Sequence, residues 1–300
     1  MFFEGSEKKA TIIIDPCKLS LLRDLNDDFW AQLVQCGDAQ ILSSISHGDC
    51  KAFVLSESSL FVWYDRLLII TCGNTRLVRS VEYFIQQVGK EKIEQVLYQR
   101  KNEYMADAQL STFQNDVQLL NQYINGSTHR FGELDSHHNY VFHNNNHFKA
   151  SLDDKTYGLS IYQLCKQASN IFTTKGITAQ DIRTFLQLDT LLEGFLLDDF
   201  VFDPFGYSIN AIKGRDYLTM HVTPQENSSY VSIESTINLI KLAPIFLAIL
   251  KPKSFDLLCF NEFDFNALIE KYISKKHITN AMNSRQLSNN YWVCFASYTC

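Results

Sequence analysis

Three strand-like runs lie too close together for any crossover connection. Lys51–Leu55, Leu60–Tyr64 and Arg66–Thr71 are rich in β-branched and aromatic residues, and only residues 56–59 and residue 65 separate them. Parallel neighbours need a connection of about a dozen residues or more, so these runs form an antiparallel meander. Thr11–Ile14 and Ile93–Tyr98 read as further strands. Between them, Leu77, Val78, Val81, Phe84, Ile85 and Val88 recur at helical spacing within 75–88, and Asn115–Ile124 reads as a second helix. The second half repeats the alternation. Ser160–Ile171 reads as a helix, and Thr178 to Asp181 opens another with a capping pattern. Strands are expected at Phe195–Asp203, Tyr217–Thr223, Ser229–Glu234, Ser254–Asn261 and Tyr291–Tyr298, and helices at Ile237–Leu250, around Pro244, and Phe265–Tyr272. Strands, then helix, then strand in each half gives α+β with antiparallel sheets, not a doubly wound parallel sheet.

Composition narrows the class. With 300 residues and 46% hydrophobic content the chain can bury a large core. Its 27 basic and 33 acidic residues leave a charge of −6, the wrong sign for a nucleic-acid binder. The longest apolar run, Leu242–Leu250, is far too short to cross a bilayer, and residues 1–9 lack a signal-peptide apolar region. The eight cysteines contain no C-x-x-C pair and read as reduced, mostly buried thiols of a cytoplasmic protein. His129, His137, His138, His143 and His147 crowd the polar stretch 125–147, which reads as a solvated loop and hairpin and not as a metal site. Asp181, Asp189, Asp198 and Asp199 read mostly as capping or solvated residues. Nucleotide-binding glycine patterns, zinc-protease helices and serine-hydrolase elbows do not occur.

Four strings carry more. They are Phe2-Phe3-Glu4-Gly5-Ser6-Glu7-Lys8; Phe53-Val54-Leu55-Ser56-Glu57-Ser58-Ser59; Thr71-Cys72-Gly73; and Phe202-Asp203-Pro204-Phe205-Gly206-Tyr207-Ser208 followed by His221-Val222-Thr223-Pro224. Each alone is ordinary: a hairpin turn, a buried thiol, core aromatics, a core histidine. Together, in this order, they resemble the eukaryotic-type S-adenosylmethionine decarboxylase family over nearly the whole chain, patchily between 126 and 160.

The resemblance implies one domain over 1–300, a four-layer α/β/β/α sandwich with pseudo-repeated halves near 1–150 and 151–300. It implies a zymogen that cuts itself between Glu57 and Ser58 into chains 1–57 and 58–300 and converts Ser58 into a pyruvoyl group. That group would form a Schiff base with the substrate amine and act as electron sink, with neither pyridoxal phosphate nor metal. By matching, His221 is the processing base, Ser208 assists, and Cys72 donates a proton to the substrate carbanion without acting on the Glu57–Ser58 bond. Glu4 lies beside the pyruvoyl. Phe3, Glu7, Leu55, Phe202 and Gln225 contact S-adenosylmethionine. The offset of 13 from Ser208 to His221 suits neighbouring strands of one hairpin.

Two departures stand out. The family's ribose-binding acid after the H-x-T-P string is Gln225 here, which gives up a charge-assisted bond. Of the family's putrescine network Glu234 and Tyr291 match, while Thr11 and Ile70 replace an acid and a base, so putrescine activation is not expected. The leading reading is decarboxylation of S-adenosylmethionine for spermidine synthesis. Pyruvoyl-dependent decarboxylation of ornithine or arginine and a non-catalytic regulatory homologue are the alternatives. The oligomeric state is open between monomer and homodimer.

Overall fold

Hairpin spacing dictates the first sheet, and a computed structural model describing residues 7–101, 109–134, 136–225 and 228–300 gives its order. Its strands are β1 (Lys8–Ile14), β2 (Ile41–His47), β3 (Cys50–Leu55), β4 (Ser58–Trp63), β5 (Arg66–Thr71), β6 (Ile93–Lys101), β7 (Gly126–Gly132) and β8 (His138–Asn144). They lie in the order β2-β3-β4-β5-β1-β6-β8-β7. The second sheet holds β9 (Thr156–Tyr162), β10 (Leu196–Val201), β11 (Tyr207–Lys213), β12 (Asp216–Thr223), β13 (Tyr230–Ser235), β14 (Ser254–Phe260), β15 (Ile278–Gln286) and β16 (Trp292–Thr299). Its order is β10-β11-β12-β13-β9-β14-β16-β15. Each strand of the first order, advanced by eight, gives the second, so the two sheets share one topology. The sheets belong to two compact units, residues 1–131 with 138–149 and residues 132–137 with 150–300.

In the first unit, alternation along β1 sends Ala10, Ile12 and Ile14 to one face, where they join Leu67, Ile69, Val96 and Tyr98. Helices α1 (Leu21–Asp24), α2 (Asp27–Cys36), α3 (Leu77–Val88) and α4 (Phe113–Leu120) accompany this sheet. Trp30, Leu33 and Val34 of α2 and Val81, Phe84 and Ile85 of α3 close the core, each buried side chain contributing roughly 1.5–3 kcal/mol. Asp116 of α4 accepts from Arg100 at 2.6 Å and from the Tyr98 hydroxyl at 2.7 Å, which ties that helix to β6 through a buried, hydrogen-bonded ion pair.

In the second unit, Leu159, Ile161, Leu218, Met220, Val231, Ile233 and Leu257 pack with Ile240, Ala243, Phe246 and Leu250 of α8 (Leu239–Leu250). Helices α5 (Lys166–Phe172), α6 (Ala179–Phe185), α7 (Leu188–Leu191) and α9 (Phe265–Tyr272) complete it. Thr178 and Asp181 form the expected capping box at the start of α6. The alternate residues of these strands are buried polar groups: Ser160, Ser208, Asn210, Thr219, His221, Ser232, Glu234 and Asp256.

Several expectations are corrected. The helix read over 160–171 is two elements, β9 and α5, because the Tyr157–Tyr162 segment pairs with β13 on one side and β14 on the other. Strands β2 and β15 are polar, largely exposed edges whose composition hides them. The histidine stretch forms the expected hairpin, but it is not solvated throughout. It forms β7 and β8, His138 and His143 are buried, and His129 and His143 meet Nε2 to Nε2 at 3.3 Å. Burial also lowers the His143 pKa. The cysteines are all free, but Cys50, Cys259 and Cys294 alone are fully buried. Among the described residues no helix is long and apolar enough to cross a membrane.

Lys9 faces away from the first unit's core, opposite Ile70 on β5 and Gln99 on β6. Burial drives its ammonium down from 10.5 to about 8, with Glu7 opposing and Lys101 reinforcing. A cation depressed in the folded state opposes folding fully below its folded pKa, and the penalty vanishes above its unfolded pKa. Lys9→Met is therefore expected to raise Tm by several degrees at pH 7. The gain shrinks as pH rises from about 8 to 10.5, which thermal melts across that range check.

Candidate active site

Leu55 and Ser58 are direct partners at the head of β3 and β4, so Ser56 and Glu57 form a two-residue hairpin. Such hairpins favour positive φ at the two central residues. Here neither has it; the positive φ, +141°, falls on Ser58. That region is strained for a residue with a Cβ, at roughly 1–3 kcal/mol. Ser58 is 3% exposed, and its hydroxyl has no hydrogen-bond partner among the described residues. Hence the peptide between Glu57 and Ser58 is held in a rare backbone conformation beside a buried, uncommitted hydroxyl.

The Glu57 carbonyl is committed. The Cys72 backbone N–H donates to it at 3.1 Å and the Cys72 thiol at 3.2 Å. Two donors converging on one carbonyl polarise it and would stabilise an oxyanion formed there. The turn carrying Cys72 is fixed on two sides. The Thr75 hydroxyl lies 2.9 Å from Cys72 O, and the Lys8 ammonium donates to Gly73 O at 2.8 Å. Gly73 has φ +64°. Burial raises the Glu57 side-chain pKa, with the Lys8 charge pulling the other way. Glu7, Lys8, Leu55, Glu57, Ser58 and Cys72 thus gather at one end of the strands β3-β4-β5-β1. Leu55 turns its side chain into the helix-covered core, leaving its backbone at this end. Phe3 and Glu4 lie outside the described residues.

In the second unit Ser208 and His221 are direct cross-strand partners on β11 and β12, as the hairpin reading expects. Ser208 Oγ and His221 Nδ1 are 2.9 Å apart. Phe202 lies in the turn before β11, where its N–H donates to Gly206 O at 2.9 Å and its ring meets Phe200 edge to face at 4.9 Å. Gln225 follows β12 and accepts the Ser228 hydroxyl at 2.6 Å. Phe202, Ser208, His221 and Gln225 therefore share one end of this sheet.

Sequence reasoning missed Lys8, Thr219 and Asn210, and the contact of the Cys72 thiol with the Glu57 carbonyl. Thr219 was findable: it sits two residues before His221, on the same strand face. Among the described residues no group of three or more His, Cys, Asp or Glu side chains could hold a metal ion.

The duplicated antiparallel architecture matches the structure of Trypanosoma brucei AdoMetDC-delta26 monomer with a TM-score of 0.61, covering 80% of this chain and 98% of that one. At 22% identity this likeness speaks for the fold alone. A family model described as adenosylmethionine decarboxylase matches residues 1–299. The S-adenosylmethionine decarboxylase proenzyme of Leishmania donovani is 31% identical over 279 residues, 86% of this chain and 73% of that protein. That of Xenopus laevis is 31% identical over 254 residues, 79% and 76% respectively. The chain belongs to the adenosylmethionine decarboxylase family.

Gly206 has φ +137°, and a Cβ there would lie 3.4 Å from the Phe202 side chain. Gly206→Ala is expected to cost about 1–3 kcal/mol through backbone strain and to displace Phe202. A lowered denaturation midpoint in urea checks it.

Proposed function

We propose that the chain is a self-processing, pyruvoyl-dependent decarboxylase of S-adenosylmethionine, whose product supplies aminopropyl groups for polyamine synthesis. The observation that carries this reading is the strained Glu57–Ser58 peptide, its carbonyl bound by Cys72 and its serine hydroxyl buried and uncommitted.

The Ser58 hydroxyl attacks the Glu57 carbonyl. The Oγ–C bond forms, the C–N bond breaks, and the hydroxyl proton passes to the departing nitrogen. Amide resonance opposes this, and the two Cys72 donors receive the charge that develops on the carbonyl oxygen. His221 then takes the Ser58 α-proton, Cβ–Oγ breaks, and Glu57 leaves as a carboxylate. Water hydrolyses what is left of residue 58 and ammonia departs. Ser208, bonded to His221, holds the ring in place. These residues suit a pyruvoyl group made in place, because the hydroxyl that must attack to start its formation is uncommitted. When present, it supplies an electron-accepting carbonyl for the electrons released with CO2. Cys72 returns a proton to the substrate Cα, a task that a thiol can perform as general acid. Phe202 and Phe3 hold the adenine and face the sulfonium, Glu7 and Glu4 position the amino-acid end, Leu55 offers its backbone, and Gln225 bonds the ribose diol. Free thiols at all eight cysteines support a reducing, cytoplasmic setting.

The purified protein is expected to run as two chains, residues 1–57 and 58–300, the second lacking a free amino terminus, and to release CO2 from S-adenosylmethionine. Ser58→Ala remains a single inactive chain. Cys72→Ala keeps the backbone donor but loses the thiol, so its cleavage slows by up to ~10²-fold. Its turnover falls by ~10²–10⁴-fold. Intact-mass spectra and a 14CO2-release assay check both. A wild-type chain that stays whole and still decarboxylates sinks the reading.

Putrescine is expected to change neither processing nor turnover. A desolvated diamine needs paired carboxylates. Buried Lys9 already places an amine on the face that carries Thr11, and Glu234 already accepts the Tyr217 hydroxyl at 2.9 Å. Assays with and without millimolar putrescine check it; severalfold stimulation contradicts it.

A further inference from the structure

His221 is one corner of a buried square. The β11–β12 register pairs Ser208 with His221 and Asn210 with Thr219. All four side chains point to the sheet face away from the helices, and all are buried. The His221 ring is contacted at both nitrogens: Nδ1 lies 2.9 Å from Ser208 Oγ, and Nε2 lies 2.9 Å from Thr219 Oγ1. The Thr219 hydroxyl in turn donates to Asn210 Oδ1 at 3.0 Å.

We propose that Thr219 is a positioning residue that fixes the tautomer of His221, keeping the ring proton on Nε2 and the lone pair on Nδ1, with Asn210 setting the direction of the Thr219 hydroxyl. This rests on the reading of His221 as the processing base. A hydroxyl has one proton, and that of Thr219 goes to Asn210. Towards His221 it offers only a lone pair, so Nε2 must carry the hydrogen. A neutral imidazole has one N–H, so Nδ1 is bare, and the Ser208 hydroxyl donates to it. The basic nitrogen is therefore Nδ1, on the Ser208 side. At 1% exposure for Thr219 and 0% for Asn210, bulk solvent is not at hand to take over either role. Without the Thr219 hydroxyl, Nε2–H would lose the acceptor that Thr219 offers it at 2.9 Å. The proton would then move to Nδ1, the nitrogen that must be free to accept one.

Val has the shape of Thr without the hydroxyl, and Ser keeps the hydroxyl. Freshly made wild-type, Thr219→Val, Thr219→Ser and His221→Ala chains are followed for conversion to two fragments, with hydroxylamine added to reveal ester that has formed but not eliminated. Thr219→Val is expected to accumulate the hydroxylamine-sensitive ester and to complete cleavage more slowly, by about tenfold or more and at most by the ~10²–10⁴ that a general base contributes. Thr219→Ser is expected to run close to wild type. In parallel, 15N-histidine spectra of the Ser58→Ala chain, which stays whole, are expected to show His221 protonated on Nε2, and Thr219→Val in that background to move the proton towards Nδ1. An Nδ1–H tautomer in the Ser58→Ala chain overturns the proposal without any variant at Thr219. So does wild-type speed in Thr219→Val while His221→Ala stalls, which leaves the base reading standing. Equal slowing in the Val and Ser variants with the tautomer unchanged shows a packing role only, and also overturns it. If His221→Ala completes cleavage at the wild-type rate, the base reading itself fails, and the spectra still decide the tautomer.

Discussion

The hold of Cys72 on the Glu57 carbonyl is the contact on which the first unit's site depends. It links the β3–β4 hairpin to the end of β5, across the strand that begins with Ser58. The contact needs β3, β4 and β5 adjacent, and it needs Thr71 opposite Ser58. A slip of one residue in that register would send every alternating side chain to the opposite face and withdraw the Cys72 turn from Glu57. The apolar alternation of β1, β5 and β6 against α2 and α3 is what prevents the slip. Lys8 connects core and site directly: it starts β1, whose Ala10, Ile12 and Ile14 are core, and its ammonium holds Gly73 O beside Cys72. The cation also pulls against the burial that raises Glu57.

The two sheets share a topology but use it differently. In the first, the chemistry-bearing residues sit at strand ends and in the turns, and the unusual feature is conformational: a positive φ on a residue with a side chain. In the second, the central part of the sheet carries the unusual feature. Its face away from the helices is lined by Ser160, Asn210, Thr219, His221, Ser232, Glu234 and Asp256, all buried. Buried polar groups are costly unless bonded, so such a face persists through pairing such as the square around His221 and the Tyr162 hydroxyl on Asp256 at 2.6 Å.

What was legible in the sequence follows from the range of the causes. The short gaps around 56–59 and 65 made the meander readable, since chain length alone forbids the alternatives. The 13-residue interval between Ser208 and His221 made their pairing readable for the same reason. Strand β9 was not, because Tyr157–Tyr162 takes its conformation from β13 and β14, which arrive about 70 and 100 residues later. The polar edges β2 and β15 carried too little hydrophobic alternation to register. The four strings picked out the candidate site residues through resemblance, yet the bond from Lys8 to Gly73, 65 residues apart, left no local signal. The buried histidines of β8, His138 and His143, were misread as solvated because polarity is a poor guide to burial once partners exist, as the half-buried His129 provides for His143.

On the proposed reading, strain and base have separate tasks, and magnitudes assign them. The Ser58 conformation is worth roughly 1–3 kcal/mol, or about 5- to 150-fold in an equilibrium. That is small beside the resonance that makes an amide rigid, whose rotational barrier is ~18–20 kcal/mol. Strain alone therefore cannot drive the acyl group from nitrogen to oxygen; it can hold the hydroxyl beside the carbonyl and remove part of the cost. The two donors of Cys72 lower the barrier for the shift without changing where its equilibrium lies. An ester formed this way stays scarce unless something consumes it. Elimination does so, and it requires a bare nitrogen that can take the α-proton. The hairpin can thus make the intermediate, but the state of one imidazole decides whether the chain is cut, which is why the proton count at Thr219 bears on the whole process.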